Sequence, residues 1–211
     1  MMSAFVRRLA MGAAAMSTVV LTACSVLPAP ESLTYYQLPA ATLAAQASDP
    51  ARQALIVQVD RPYAERALAS SRIIVLPDGN QLSAYQGVRW SDDAPALLRN
   101  RLASALRDTG QFRAVTLDSD ALVADWELSG NLNAFQVVYV QGAPRVRIQF
   151  DAALRDQRNG ALVQTRRFTQ EEPVQGTAVP QVVQAFGSAA DALALQISQW
   201  LGSVPVSART P

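Results

Sequence analysis

The stretch WELSGNLNAFQVVYVQGAPRVRIQFDAALRDQRNGALVQTRRFTQEEP, residues 126–173, sets the class of this 211-residue chain. Apolar β-branched and aromatic residues alternate with polar ones through it, and turn chemistry interrupts it before Pro173. It therefore reads as a long β-region from 124 to about 169. Register follows from keeping apolar residues on one face. A loop at 140–144 sets Tyr139 opposite Arg145 and pairs Val138 with Val146, Ala134 with Phe150 and Leu132 with Ala152. That face continues to Trp126 and Leu128, with Gln136 as its misfit. A second loop at 156–160 sets Arg155 opposite Ala161, Leu154 opposite Leu162 and Ile148 opposite Phe168, whereas a two-residue Asn159-Gly160 turn would oppose apolar to polar positions.

In this register the other face of the first hairpin carries Phe135, Val137 and Tyr139 opposite Gln149, Arg147 and Arg145, so its tip is apolar on both sides. A solvated sheet face is normally polar. Either a loop or the C-terminal helix covers these residues, or they form a contact surface. Aromatic and Arg side chains are enriched at protein interfaces, and Arg also donates to phospholipid headgroups. Contact with lipid alone calls for more positive charge. The contact reading therefore takes Phe135, Val137, Tyr139, Arg145 and Arg147 as an interface for protein, a second copy of the chain included.

Upstream, TYYQL and ALIVQVD read as strands separated by an Ala-rich, Pro-punctuated loop at 39–53. RIIVLP and QLSAYQGVRW suggest a hairpin around Asp78-Gly79-Asn80. Leu97, Leu98, Leu102, Ala105 and Leu106 then recur at helical spacing, with Ser91, Asp92 or Asp93 as N-cap and Gly110 as the stop. Just before this helix, Trp90 reads as a core residue stapled onto Leu97 or Leu98, with a partner-facing role as the alternative. RAVTL resumes a strand. Val182, Val183, Phe186, Ala189, Leu193, Ile197 and Trp200 form the stripe of a second helix, which starts near 177–180, lies on the sheet and ends at Gly202. The expected class is α+β: a two-layer sandwich of a mostly antiparallel sheet of six or seven strands with two amphipathic helices.

The N-terminus has its own logic. Arg7 and Arg8 precede the apolar run 9–23, which is shorter than the roughly 20 residues needed to span a bilayer and has the anatomy of a signal peptide. The only cysteine follows, at Cys24. The letters Leu21-Thr22-Ala23-Cys24 resemble the bacterial lipobox, which implies cleavage before Cys24 and attachment there of an S-diacylglycerol and an N-acyl chain. Three chains anchor stably where one is marginal. Ser25 follows the cysteine, and by resemblance to proteobacterial lipoproteins, retained in the inner membrane chiefly when Asp stands there, the expected address is the periplasmic face of the outer membrane. The organisation is thus a signal peptide at 1–23, a lipidated tether at 24–33, a domain at 34–202 and a flexible tail at 203–211. At roughly 3.3 Å per residue the tether holds Tyr35 within about 35 Å of the membrane.

Composition narrows the chemistry. The chain has no histidine and one cysteine, and all 18 of its basic residues are arginine. Most catalytic triads, P-loop lysines, Schiff-base lysines and His or Cys metal sites are thereby excluded. Losing Arg7 and Arg8 from those 18 leaves 16 basic against 17 acidic residues, and no nucleic-acid signature. Asp118, Asp120 and Asp125 cluster in one loop, where they read as a solvated turn or, alternatively, as a hard-cation or paired-acid site that lacks EF-hand spacing. The expectation is a non-enzyme with no catalytic residue, no metal and no cofactor beyond the lipid on Cys24.

Together with the lipobox, YYQLP at 35–39, IVQVDRPY at 56–63 and YQGVRWSDDAPALLRNRL at 85–102 resemble the auxiliary lipoproteins of MCE-type ABC lipid-transport systems, the paraquat-inducible protein C group. The resembling residues include Pro62 and Tyr63, and the Y-x-x-x-R-W element Tyr85, Arg89 and Trp90, whose role reads as structural. The small-acidic-Pro run after the Trp is altered here to Ser91-Asp92-Asp93-Ala94-Pro95. The resemblance implies a non-catalytic subunit of a lipid-transport system, partnered by a periplasmic MCE-domain protein. A lipoprotein chaperone or assembly partner of an outer-membrane protein is the alternative.

Overall fold

The computed structural model describes residues 32–120 and 122–206. The signal-peptide reading, the lipid site Cys24, most of the tether and the tail beyond 206 lie outside the described residues. In chain order the elements are β1 (Thr34–Tyr36), α1 (Pro50–Gln53), β2 (Ile56–Val59), β3 (Tyr63–Ala64), β4 (Ile74–Leu76), β5 (Ser83–Ala84), β6 (Val88–Trp90), α2 (Ala94–Thr109), β7 (Ala114–Leu117), β8 (Trp126–Val140), β9 (Ala143–Asp156), β10 (Ala161–Pro173) and α3 (Val179–Ser203).

The fold is α+β, a mostly antiparallel sheet with helices packed on it. Strands β10, β9 and β8 form a long antiparallel meander. The opposite edge of β8 is shared in series by short parallel partners: β2 against residues 126–128, β3 against 131–132 and β4 against 136–138. With β5 on β4 and β7 on β2, this sheet has eight strands rather than six or seven, and β1 and β6 make a separate parallel pair. The additional strands β3 and β5 are only two residues long, too short for any alternation to announce them.

Helix α2 is bounded as its sequence dictates. Ala96 N donates to Asp93 Oδ1 at 3.0 Å, and Gly110 closes the helix at φ 65°. Helix α3 starts after Ala178 and runs one residue past Gly202. Their apolar stripes, Leu98, Leu102 and Leu106 from α2 and Phe186, Leu193, Ile197 and Trp200 from α3, bury the inner face of the sheet. Each fully buried side chain of this size contributes about 1.5–3 kcal/mol. Trp90 is fully buried at the centre, edge-on to Phe186 at 5.1 Å and to Phe135 at 6.0 Å.

Both hairpins depart from the expected register. Tyr139 pairs with Pro144, not Arg145, because the turn is two residues long: Gln141 and Gly142 take φ 51° and 79°, as a type I′ turn requires. Asn133 then stands as an extra residue, since Leu132 pairs with Phe150 but Ala134 with Gln149. This bulge inverts parity along β8. Below it Leu132, Leu128 and Trp126 face the core; above it Phe135 and Val137 do, opposite Ile148 and Val146. In the second hairpin Arg155 pairs with Leu162 and not with Ala161, and a bulge at Val163 brings Gln164 opposite Leu154 and Phe168 opposite Phe150. Near the first bulge the ring of Phe150 lies over Gly130, where a Cβ would stand 2.9 Å from it and 2.1 Å from Asp151 O.

The Ala-rich insert is an ordered strap across the helices. Ala41 N donates to Asp191 Oδ2 at 2.9 Å, Leu43 N to Asp108 Oδ2 at 3.2 Å and Gln46 N to Thr109 O at 2.9 Å. Buried Arg101 donates to Asp191 and, at 2.8 Å, to Ala41 O. The strap ends in α1, whose Arg52 sends its guanidinium to the last turn of α3: Nη1 to Leu201 O and Gly202 O, and Nη2 to Val204 O.

Candidate functional site

The residues singled out from sequence separate into core and surface. Phe135 and Val137 are 1% and 0% exposed, and Phe135 stacks on Phe186 at 4.8 Å. They are core residues, which corrects the contact-surface reading for this pair: the bulge at Asn133 turns them inward. Tyr139 lies one step beyond, exposed at the hairpin tip. Arg145 and Arg147 lie on the outer face, both paired with Glu171, at 3.4 and 2.7 Å.

The motif residues divide similarly. Pro62 is buried, whereas the neighbouring Tyr63 is exposed. Arg89 donates to Val88 O at 2.7 Å, and Trp90 joins the aromatic core. Tyr85 is half-buried; desolvation raises its phenol pKa above the usual 10.0, and the nearby Tyr139 adds to the effect.

The three aspartates of the 118–125 loop do separate work. Asp118 accepts from Arg99 at 2.7 Å and from Arg61 N at 3.2 Å, Asp120 from Leu117 N at 2.8 Å and Asp125 from Ile56 N at 2.9 Å. Partial burial opposes ionisation of Asp118, but the Arg61 N–H and the Arg99 guanidinium outweigh it and hold the pKa below 3.8. Asp60, at the end of β2, differs. Burial raises its pKa, the Gln58 amide at 2.6 Å opposes this, and the charges of Glu127 and Asp118 push it up further. Among the described residues no group of three or more acidic, His or Cys side chains is placed to hold a metal ion.

Sequence reasoning marked the hairpin tip at Tyr139 but missed that Leu82 lies at the same end, and missed the exposed apolar residues at the opposite end of the sheet. Leu82, Tyr139 and Val140 are exposed at one end, and Leu122, Val123, Leu162 and Val163 at the other. The signal lay in apolar letters beside turns, but it needed the true register to show that they come together. Among the described residues no helix is long and apolar enough to cross a membrane.

The family model described as ABC-type transport auxiliary lipoprotein component matches residues 36–198. Among solved structures the chain is similar to a Xanthomonas campestris protein of family DUF330, at 25% identity over 80% of this chain and 94% of that one, with a TM-score of 0.71. A protein described as uncharacterized matches at 20% identity, 81% and 99% coverage and a TM-score of 0.64. The hypothetical protein CT253 from Chlamydia trachomatis matches at 8% identity, 72% and 97% coverage and a TM-score of 0.51. These last two likenesses concern the fold alone. No curated protein matches.

Proposed function

The chain belongs to the ABC-type transport auxiliary lipoprotein family, and from that membership we propose that it is a non-catalytic subunit of an MCE-type intermembrane lipid-transport system. In this reading Cys24 carries the N-acyl and S-diacylglycerol chains and holds the domain at the periplasmic face of the outer membrane. Its partners are that membrane and a periplasmic MCE-domain protein, with further copies of the chain as a third. The observation that carries the reading is the family match over residues 36–198 downstream of Leu21-Thr22-Ala23-Cys24.

Palmitate labelling and membrane fractionation of Cys24→Ala test the anchor. The variant should lose its acyl chains and leave the outer-membrane fraction, and retention of either overturns the assignment. Affinity purification of the wild-type lipoprotein should recover an MCE-domain protein. Recovery of an outer-membrane β-barrel instead supports the assembly-partner reading.

A further inference from the structure

The two apolar ends of the sheet differ in their relation to the start of the domain. Leu82, Tyr139 and Val140, 54%, 46% and 40% exposed, gather around the Gln141-Gly142 turn. Register brings them together: Leu76 of β4 pairs with Val138, and Leu82 directly precedes β5, whose Ser83 pairs with Val75. Leu122, Val123, Leu162 and Val163 lie at the other end, where Trp126 pairs with Asp156. The 15 residues of β8 separate the two ends, about 45 Å at roughly 3.3 Å per residue.

The first strand of the domain runs away from the first end. Thr34 N donates to Gly87 O at 2.9 Å, and β1 runs parallel to β6 with Tyr36 beside Trp90. Trp90 packs on Phe135 and its backbone N–H donates to Ser71 O, while Tyr85 N donates to Ile73 O. Strand β4, which follows Ile73, runs parallel to β8 with Ile74 beside Gln136. Moving back along the chain from Trp90 to Tyr85 therefore moves along β8 from Phe135 toward its turn. Leu33, 41% exposed, directly precedes β1 on the side of it that faces that end. Between Cys24 and Leu33 the chain spans at most about 30 Å.

We propose that Leu33, Leu82, Tyr139 and Val140 rest in the interfacial layer of the bilayer that holds the acyl chains of Cys24, so that β8 rises from the membrane with its Trp126 end outermost. The proposal rests on the lipidation of Cys24 argued above. Tyrosine suits this layer, since its ring is apolar and its hydroxyl can stay wet. Arg145, next to the Pro144 that pairs with Tyr139, is already paired with Glu171 at 3.4 Å, so the tip brings little net charge of its own beyond Asp78 in the neighbouring turn at 77–81. The acyl chains supply the affinity, so the tip needs only to orient the domain and little positive charge is required. The opposite apolar end, with Val123 and Leu162, is carried away from the bilayer toward whatever the domain meets in the aqueous space.

The test uses the full lipidated protein on vesicles of phosphatidylethanolamine and phosphatidylglycerol. With Cys24 blocked by its lipid, Val140→Cys and Val123→Cys each offer one free thiol for an environment-sensitive fluorophore. The label at 140 should shift to the blue on vesicle binding and be quenched by shallow spin-labelled lipids, while the label at 123 stays in water. Tyr139→Ser in the Val140→Cys protein should reduce the quenching at least twofold without releasing it from vesicles. A label at 140 that stays in water on acylated, vesicle-bound protein overturns the proposal alone, as does quenching at 123. Absence of acyl chains on Cys24 by mass spectrometry overturns the anchor reading and the proposal with it.

Discussion

Arg52 and Val204 are joined by a 3.0 Å hydrogen bond from guanidinium Nη2 to the carbonyl that follows the longest helix. The same guanidinium donates to Leu201 O and Gly202 O, so one side chain of the insert satisfies a helix end that carries no basic residue of its own. Arg52→Ala leaves these carbonyls without their donor and should cost about 2–3 kcal/mol. Arg52→Lys should recover less than half, because an ammonium lacks the planar fork. Urea unfolding of both variants measures the difference; equal stability of Ala and wild type would show that the cap contributes nothing.

Phe135 and Tyr139 stand four residues apart on β8 on either side of the boundary between core and tip. Phe135→Ser should destabilise by about 3–5 kcal/mol, as loss of a buried ring does. Tyr139→Ser should stay within about 1 kcal/mol. Thermal melts of the two variants decide the placement, and comparable losses would contradict it.

Gln141 holds φ 51° without the freedom of glycine. Asn tolerates this region better and leads Gly in type I′ turns. Gln141→Asn should therefore stabilise by ~0.5 kcal/mol, read as a raised urea midpoint at unchanged slope. A lowered midpoint would show that the glutamine side chain makes a contact worth more than the turn preference.

Asp60 gives a pH signature opposite to that of the arginine-paired carboxylates. Its folded pKa is raised above 3.8, so its ionisation disfavours the folded state: the penalty is absent below the unfolded value and appears as pH rises through the folded one. Asp60→Asn keeps an acceptor for the Gln58 amide and removes the charge. It should melt higher than wild type at pH 7, with the gain fading as pH falls toward 3.8. Asp151 runs the other way. Its Arg167 partner lowers the folded pKa, so that contribution is present at neutral pH and lost as pH falls through the depressed value. A gain from Asp60→Asn that persists unchanged at low pH would refute the electrostatic account.

What could be read from the letters was what depends on near neighbours. Asp93 and Gly110 mark α2 because capping is local, and the stripe from Val182 to Trp200 marks α3 because its period is local. The β-region from 124 was equally plain. Its register was not, since a tight Gln141-Gly142 turn and a bulge at Asn133 act in combination and each slip of one residue exchanges the faces. Phe135 and Val137 changed sides for that reason. The strap was hidden differently: Arg52, Asp191 and Asp108 find partners far away in sequence, which no period or cap encodes. In the candidate site, the reading of Cys24 rests on its neighbours alone and lies outside the described residues, whereas the place of Leu82 beside the tip at Tyr139 appears only once the strands are aligned.

The parallel pairing of β1 with β6 has a mechanical side. The first three residues of ordered strand, Thr34, Tyr35 and Tyr36, lie beside Val88, Arg89 and Trp90. A tug arriving from upstream along the strand axis loads these rungs together in shear, where they resist collectively instead of opening one by one like a zipper. Behind them the chain crosses both helices under the bonds to Asp191, Asp108 and Thr109. Drag on the domain would thus be shared between a β clamp and a lashing over the helices before the long sheet felt any of it.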